Sequence, residues 1–128
     1  MKKGIDIEDI THIVNNLLKK SRINNGIVNL CAIGSTASIT TIEYEKGVIS
    51  DLKRVLNNIA PESDFYQHNL AWNDGNGFSH VQAAIMNPSL TIPINNQSLL
   101  LGTWQQIILI NHDNRARNRK VVATFIGE

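Results

Sequence analysis

The chain has 128 residues, a formal net charge of +1 and a single cysteine. A chain of this length forms one domain, here residues 1–128, and buries roughly two-thirds of its unfolded surface without needing a disulfide or a structural metal. The near-zero charge argues against broad nucleic-acid or membrane binding. No apolar run approaches the ~20 residues that span a bilayer and no signal-peptide core is present, so we expect a cytoplasmic protein.

The first third of the chain changes from a helical to a strand pattern. Apolar residues at helical spacing predict a first helix, and they are Ile10, Ile13, Val14, Leu17 and Leu18. Asp6, Asp9 and Thr11 offer caps at its start. Residues 27–33 then predict one strand, and the β-branched run 39–42 predicts a second.

The rest of the chain predicts one more helix and then only strands. Residues 48–59 form an amphipathic pattern that Pro61 ends. Residues 66–80 predict a polar loop, because they fit neither an amphipathic helix nor an uninterrupted strand. Turn signals then separate short predicted strands at 81–86, 90–94, 99–101, 106–111 and 120–126. Short connections enforce antiparallel neighbours, which predicts an α+β fold with a curved, barrel-like antiparallel sheet and two helices on one side.

The polar loop at 66–80 concentrates groups that bind or transfer protons. It contains two histidines, one aspartate, three asparagines and two glycines within fifteen residues. Loops of this kind carry the chemistry of small domains. His68 and His80 are two candidate ligands, whereas a catalytic zinc usually has three. Asp74 or Glu43 would supply an oxygen ligand or orient an imidazole, and the alternative for Asp74 is a simple turn.

Two further segments offer binding groups. Ser35 and Thr36 follow a strand end and Gly34, so their hydroxyl and N–H groups favour an oxyanion or phosphate site, or else a tight strand connection. Trp104 suits stacking on a planar ligand ring, and it equally suits a core or subunit-interface anchor. Gln105, beside it, is the better polar candidate.

Four cations lie within six residues, at Arg115, Arg117, Arg119 and Lys120. Guanidinium groups recognise phosphates in a bidentate manner, so this segment can hold a diphosphate presented by a neighbouring subunit. A solvated hairpin tip is the alternative interpretation.

Four motifs stand together in an order that resembles the YjbQ family. They are GSTASITTIEY at 34–44, the loop from His68 to His80, NPSLTIP at 87–93 and LGTWQQI at 101–107. Members of that family are described as secondary thiamine-phosphate synthase enzymes. The resemblance implies a homotrimer of α+β subunits with a histidine-lined pocket that holds a metal or an oxyanion, and a weak thiamine-phosphate synthase activity.

The resemblance also implies roles for individual residues. The catalytic candidates are His80, Glu43 and Gln105. The substrate-binding candidates are Ser35, Thr36, Asn76, Thr103 and Trp104. The candidate ligands for a divalent metal, zinc or magnesium, are His68 and His80.

Two positions depart from the family's pattern. Many relatives carry a histidine where this chain has Gly34, and a subgroup of relatives carries Gly-His-Ser-His where this chain has Phe78 in second place. Both changes remove an imidazole. The residues therefore leave two functions open: joining a pyrimidine diphosphate to a thiazole phosphate, or non-enzymatic binding of a small anionic metabolite or metal by a trimer.

Overall fold

A computed structural model describes residues 1–128 and contains four helices and seven strands. In chain order they are β1 Asp6–Asp9, α1 Thr11–Ser21, β2 Gly26–Ile33, β3 Ala37–Glu43, α2 Lys46–Ile59, α3 Gln67–Trp72, α4 Gly77–Met86, β4 Ser89–Asn95, β5 Ser98–Leu99, β6 Gln105–Asn111 and β7 Lys120–Gly127. The predicted α+β class is confirmed. None of the four helices is long and apolar enough to cross a membrane.

The strands form two sheets that together make a curled half-barrel. One sheet has the order β1-β6-β3 and the other has the order β5-β4-β2-β7, and every pairing is antiparallel, as expected. Residues 87–88 connect the sheets, because the Asn87 and Pro88 carbonyls accept from the N–H groups of Ile39 in β3 and Ala32 in β2. β1 and β7 are edge strands, each with one unpaired side.

Strand β6 is buried on both faces, which explains its continuous apolar run. Ile107 and Leu109 face the main core, where α1 packs through Ile10, Val14 and Leu18. The alternate residues of β6 are in a second cluster with Ile7 of β1, and α2 and α4 contribute partly buried side chains to it. Helices therefore cover both faces of this sheet rather than one, and the site described below lies at the end of β6.

The predicted loop at 66–80 and the predicted strand at 81–86 are both wrong, because this region forms α3 and α4. The buried positions of α4 include Ser79 and Gln82, and polar residues on the inner face obscure the helical period. Asn73 ends α3 in the left-handed conformation at φ 52°. A helix as short as α3, followed at once by the chain reversal at Asn73, has a residue pattern that is difficult to distinguish from that of a loop.

Two smaller expectations also change. Asp6 lies in strand β1, opposite Asn111, and does not cap α1. Asp9 does meet the helix start, since its Oδ1 accepts from the Thr11 N–H at 2.9 Å and from the Thr11 hydroxyl at 2.6 Å. The last two predicted strands exist, but β6 and β7 belong to different sheets, so residues 112–119 are a crossing connection and not a hairpin tip.

Candidate functional site

Two histidines meet where α3 and α4 converge. The ring centroids of His68 and His80 lie 4.5 Å apart, with the ring planes tilted by 54°. The chain turns back between them through Asn73 and Gly75, both at positive φ, the second at 68°. The structure thus brings together the two histidines that the sequence offered as candidate ligands.

His68 is held by the segment that connects the two helices. Its Nε2 lies 3.0 Å from the Asn76 side-chain amide and 3.4 Å from Asp74 Oδ1. With the Asn76 amide oriented to satisfy its neighbours, Nδ2 donates to His68 Nε2 at 3.0 Å and to both Asp74 oxygens at 2.9 and 3.0 Å. In this arrangement His68 Nε2 accepts a hydrogen bond from the Asn76 amide.

His80 is held in its neutral form. Burial lowers the pKa of His80 below its ordinary 6.5, and the neighbouring His68 lowers it further. Asp113, Asp74 and a backbone hydrogen bond to Ser35 oppose this shift without cancelling it. At neutral pH the ring therefore accepts a proton or a hydrogen bond rather than carrying a charge.

A buried ionic cluster supports the turn beside His80. The Asp113 carboxylate accepts from the Thr36 hydroxyl at 3.0 Å and from Arg117 Nε at 2.9 Å. Burial raises the pKa of Asp113, but the hydrogen bonds from Thr36 and Arg117 and the charge of Arg117 outweigh it, so the pKa is lowered. Arg119 Nη2 donates to the Thr36 carbonyl at 3.0 Å and to its hydroxyl at 2.6 Å. These hydrogen bonds thus fix the position of Thr36, one of the candidate substrate-binding residues.

A cavity of about 290 Å³ adjoins His80. It is lined by Gly34, Ser35, Ala37, His80, Ala83, Ala84 and Pro88. The Ser35 side chain is exposed at this cavity, whereas Asn76 and Thr36 are buried behind it. Small side chains on α4 leave room, so the cavity offers one imidazole and one hydroxyl to a small ligand.

The other predicted site residues lie elsewhere in the subunit. Glu43 pairs in register with Gln105, at the end of the β3/β6 ladder remote from Asn111. Six residue steps along β6 separate the two ends by ~20 Å. The prediction that Glu43 and Gln105 lie near the histidine pair is therefore wrong within one subunit. Thr103 and Trp104 precede β6 at the same remote end, and Trp104 is 72% exposed.

Gln105 has a local structural role. Its Oε1 accepts from the Gly102 N–H at 2.9 Å, and its Nε2 donates to Thr41 Oγ1 at 2.9 Å. These contacts close the turn that begins β6.

Within one subunit the residues present do not fit a zinc centre, which usually takes three protein ligands. No group of three His, Cys, Asp or Glu side chains is arranged to hold an ion. His68 Nε2 is already bonded to Asn76. Phe78 is 3% exposed and lies two positions before His80 on a helix, so the two side chains point in nearly opposite directions. A histidine at position 78 would face the core and not the imidazole pair.

A further histidine, His112, has a structural role in the core. It is fully buried; its Nε2 lies 2.7 Å from Ser38 Oγ and its Nδ1 lies 3.0 Å from Gln82 Oε1. The Gln82 amide nitrogen donates to the carbonyls of Leu56 and Ala60. Gln82 Oε1 must therefore accept from His112 Nδ1–H, and Nε2 accepts from Ser38. Burial, and secondly the charge of Arg119, lower the pKa of His112 to about 4. This network joins α2 and α4 to the sheet.

Sequence reasoning missed Asp113 and Arg119 as parts of the site. Arg119 was interpreted only as one of four clustered cations, although its side chain is 8% exposed and bonded to Thr36 and Asn111. The signal was available in the polar residues Asn111, His112 and Asp113, which directly follow an uninterrupted apolar strand. Strand ends of this kind collect polar side chains at one edge of a sheet.

Relatives of known sequence identify the family. The family model described as UPF0047 protein YjbQ-like matches residues 1–128. A UPF0047 protein from Methanothermobacter thermautotrophicus is 36% identical over 126 residues, which cover 98% of this chain and 86% of that protein. The chain belongs to the YjbQ/UPF0047 family. The UPF0047 protein YjbQ of Escherichia coli O157:H7 is 30% identical over 117 residues, covering 91% of this chain and 84% of that protein.

Solved structures agree with the YjbQ/UPF0047 assignment. A YbjQ-like protein of unknown function from Sulfolobus solfataricus P2 superposes with a TM-score of 0.93 at 29% identity, covering 100% of this chain and 93% of that one. A YjbQ/UPF0047 family protein from Clostridium acetobutylicum superposes with a TM-score of 0.86 at 28% identity, covering 98% and 96%. The half-barrel with its helices is thus the fold that these YjbQ relatives share.

Proposed function

We propose that the cavity beside His80 binds a small phosphorylated or otherwise anionic metabolite. The observation that carries the proposal is the tilted pair of imidazoles, 4.5 Å apart, of which His80 borders a cavity of about 290 Å³. The exposed Ser35 hydroxyl on the same wall is a donor for an anion oxygen. The ionic cluster behind it keeps the 34–36 turn in place.

Binding of an anion to this pair is coupled to a proton. Burial and the His68 ring lower the pKa of His80 in the free protein. A bound anion supplies the opposite charge that His80 lacks, and so raises its pKa. Affinity for the anion should therefore increase as the pH falls through the ordinary histidine range, with proton uptake on binding.

The candidate reaction is the low-rate joining of a pyrimidine diphosphate to a thiazole phosphate. In that reaction a ring nitrogen displaces diphosphate from a methylene carbon, so the protein has to orient two rings and stabilise a departing anion. Here Ser35 and protonated His80 would donate hydrogen bonds to the oxygens of the departing diphosphate. The attacking thiazole nitrogen carries no proton, so the C–N bond forms as the C–O bond to diphosphate breaks and no base is needed. Zinc has no place in this scheme within one subunit, because the residues do not fit a zinc site. Binding without catalysis is the alternative.

The proposed assembly is a homotrimer with the pocket near the subunit boundary. Exposed edge strands invite pairing, and the large apolar side chains of Ile33 and Trp104 are exposed. A neighbouring subunit would also be the source for any contribution of Glu43, Thr103, Trp104 or Gln105 to the pocket. Light scattering should give about three times the 14.2 kDa subunit mass. A monomeric mass would exclude the trimer.

Isothermal titration calorimetry with inorganic phosphate and pyrophosphate tests the binding proposal. Wild type should bind at least one of the two, and His80→Ala should lose at least tenfold in affinity. His12→Ala is the matched control, because His12 is exposed on α1 and distant from the pair in the chain. Equal affinity of wild type and His80→Ala would refute the pocket.

A single-turnover assay distinguishes catalysis from binding. Wild type and His80→Ala are incubated with the pyrimidine diphosphate and thiazole phosphate, and thiamine phosphate is quantified. Product that depends on His80 supports a synthase. Phosphate binding without any product supports the non-enzymatic alternative.

A further inference from the structure

A second concave site lies between α1 and strand β7, away from the imidazole pair. It is a groove of about 240 Å³, and eight of its ten lining residues are hydrophobic. Ile13 and Leu17 of α1 form one wall, and Val121 and Ala123 of β7 lie on the other. Ile13 is 57% exposed at the groove, although the α1 residues one position along, such as Val14, are fully buried. An apolar wall left open in this way is suited to an apolar ligand.

Arg119 also lines this groove, and its hydrogen bonding is unusual for a buried cation. Its Nε and Nη2 atoms donate to Asn111 and Thr36, but its Nη1 has no acceptor in the protein. Its side chain is 8% exposed. The backbone approaches Nη1 closely at Gly34, where a Cβ would lie 2.9 Å from it. Nη1 is not among the fully buried side-chain atoms that lack a partner, so its N–H groups remain open to an acceptor from outside the chain.

The charges around Arg119 do not balance. Asp113 Oδ2 lies 4.0 Å from Arg119 Nη2 but 2.9 Å from Arg117 Nε, so two guanidinium groups share one carboxylate. Glu8 borders the groove from β1 but forms no ion pair with Arg119. Thr36 and Asn111 are neutral. A carboxylate from outside the chain would compensate the remaining positive charge.

The groove runs along β7 and suits a linear ligand. Side chains alternate along a strand, so Val121 and Ala123 of β7 point to the same face, and Arg119, which directly precedes β7, lines the same groove. The four residue steps from Arg119 to Ala123 span ~13 Å. With C–C bonds of about 1.5 Å, a saturated chain of roughly ten carbons has that reach.

We propose that this groove binds a medium-chain carboxylic acid, with the carboxylate on Arg119 and the alkyl chain along Val121 and Ala123. A second copy of the chain is a poorer occupant, because an apolar face pressed into the groove would leave the Arg119 charge unmatched.

A homologous series of acids tests the proposal on the full chain. Hexanoate, octanoate and decanoate are titrated into wild type below their micelle concentrations, and heat is measured. Affinity should rise about fourfold for each added CH₂, since burying one contributes about 0.8 kcal/mol. Decanol should bind about tenfold more weakly than decanoate, because it lacks the charge that Arg119 recognises. Affinity independent of chain length, or equal for decanol, would overturn the proposal.

Variants locate the binding. Ala123→Phe fills the groove without touching Arg119 and should abolish decanoate binding. Thr124→Phe is the matched control, because residue 124 points to the opposite face of β7 and should leave the affinity unchanged. His80→Ala should also bind decanoate normally, which separates this site from the phosphate pocket. Decanoate binding to Ala123→Phe at wild-type affinity would refute the assignment, as would loss of binding in both Phe variants.

Discussion

Stability should fall in acid because His112 is buried as a neutral ring. Its pKa is lowered from 6.5 to about 4, first by burial and then by the charge of Arg119. Below pH 6.5 the unfolded chain takes up a proton that the folded chain excludes, so folding becomes less favourable as the pH decreases toward 4. The interval of about 2.5 pH units, at 1.36 kcal/mol per unit, corresponds to about 3 kcal/mol. Above pH 6.5 this contribution is constant.

Urea unfolding between pH 4 and pH 8 measures the effect. His112→Gln should remove nearly all of the His112 contribution to the slope of unfolding free energy against pH. Loss of the Ser38 and Gln82 contacts lowers the unfolding free energy of this variant equally at every pH, so it does not change the slope. The pKa of His80 is lowered too, so the variant retains a smaller slope in the same direction. His12→Gln is the control, because His12 is exposed and should leave the slope unchanged.

A direct NMR titration of the His112 ring can refute this reasoning. In the folded protein, the ring resonances of His112 should show no protonation at pH 5.5. A midpoint near 6.5 would mean that the ring is solvated and that its hydrogen bonds to Ser38 and Gln82 do not persist.

Substitutions at Gly77, Phe78 and His80 test the local packing and the proton linkage. Gly77→Ala should lower the free energy of unfolding by about 1–3 kcal/mol, because a Cβ at position 77 would lie 2.5 Å from Tyr66 Cβ. Gly102→Ala is the control, because its Cβ would meet nothing closer than 3.6 Å. In the same urea assay it should change the free energy of unfolding by less than about 0.5 kcal/mol. Phe78→His should not raise zinc affinity, measured by calorimetry, and should destabilise by about 2–4 kcal/mol, because Phe78 faces the core rather than His80. Phosphate affinity, measured by calorimetry, should increase from pH 8 to pH 6 in wild type but not in His80→Ala, and an increase in both would place the linked proton elsewhere.

The sequence pattern predicts β2, β3 and β6 well because their residues have unambiguous environments. β2, β3 and β6 are β-branched or apolar runs bounded by turn residues, and each was found within about one or two residues of its predicted limits, consistent with the usual boundary precision. Helix α4 was missed because Ser79 and Gln82 occupy its buried face, where they serve contacts that only the tertiary structure creates. β1 was missed because Asp6 and Asp9 resemble helix caps and four residues carry little periodicity.

The site was predicted in part for a similar reason. His68 and His80 belong to one short segment, so proximity along the chain was a guide to proximity in space. Glu43 and Gln105 were grouped with them from separate motifs, yet the antiparallel register places both at the remote end of β6. Arg119 reaches the site because residues 112–119 cross from one sheet to the other, and no local sequence pattern predicts that crossing.

The most direct test of the anion pocket is to follow the ring resonances of the four histidines by NMR during titration with inorganic phosphate. The His68 and His80 signals should shift together and saturate, the pKa of His80 should rise, and the exposed His12 should be unaffected. Saturable phosphate binding that leaves the His68 and His80 resonances unchanged would contradict the assignment of this pocket.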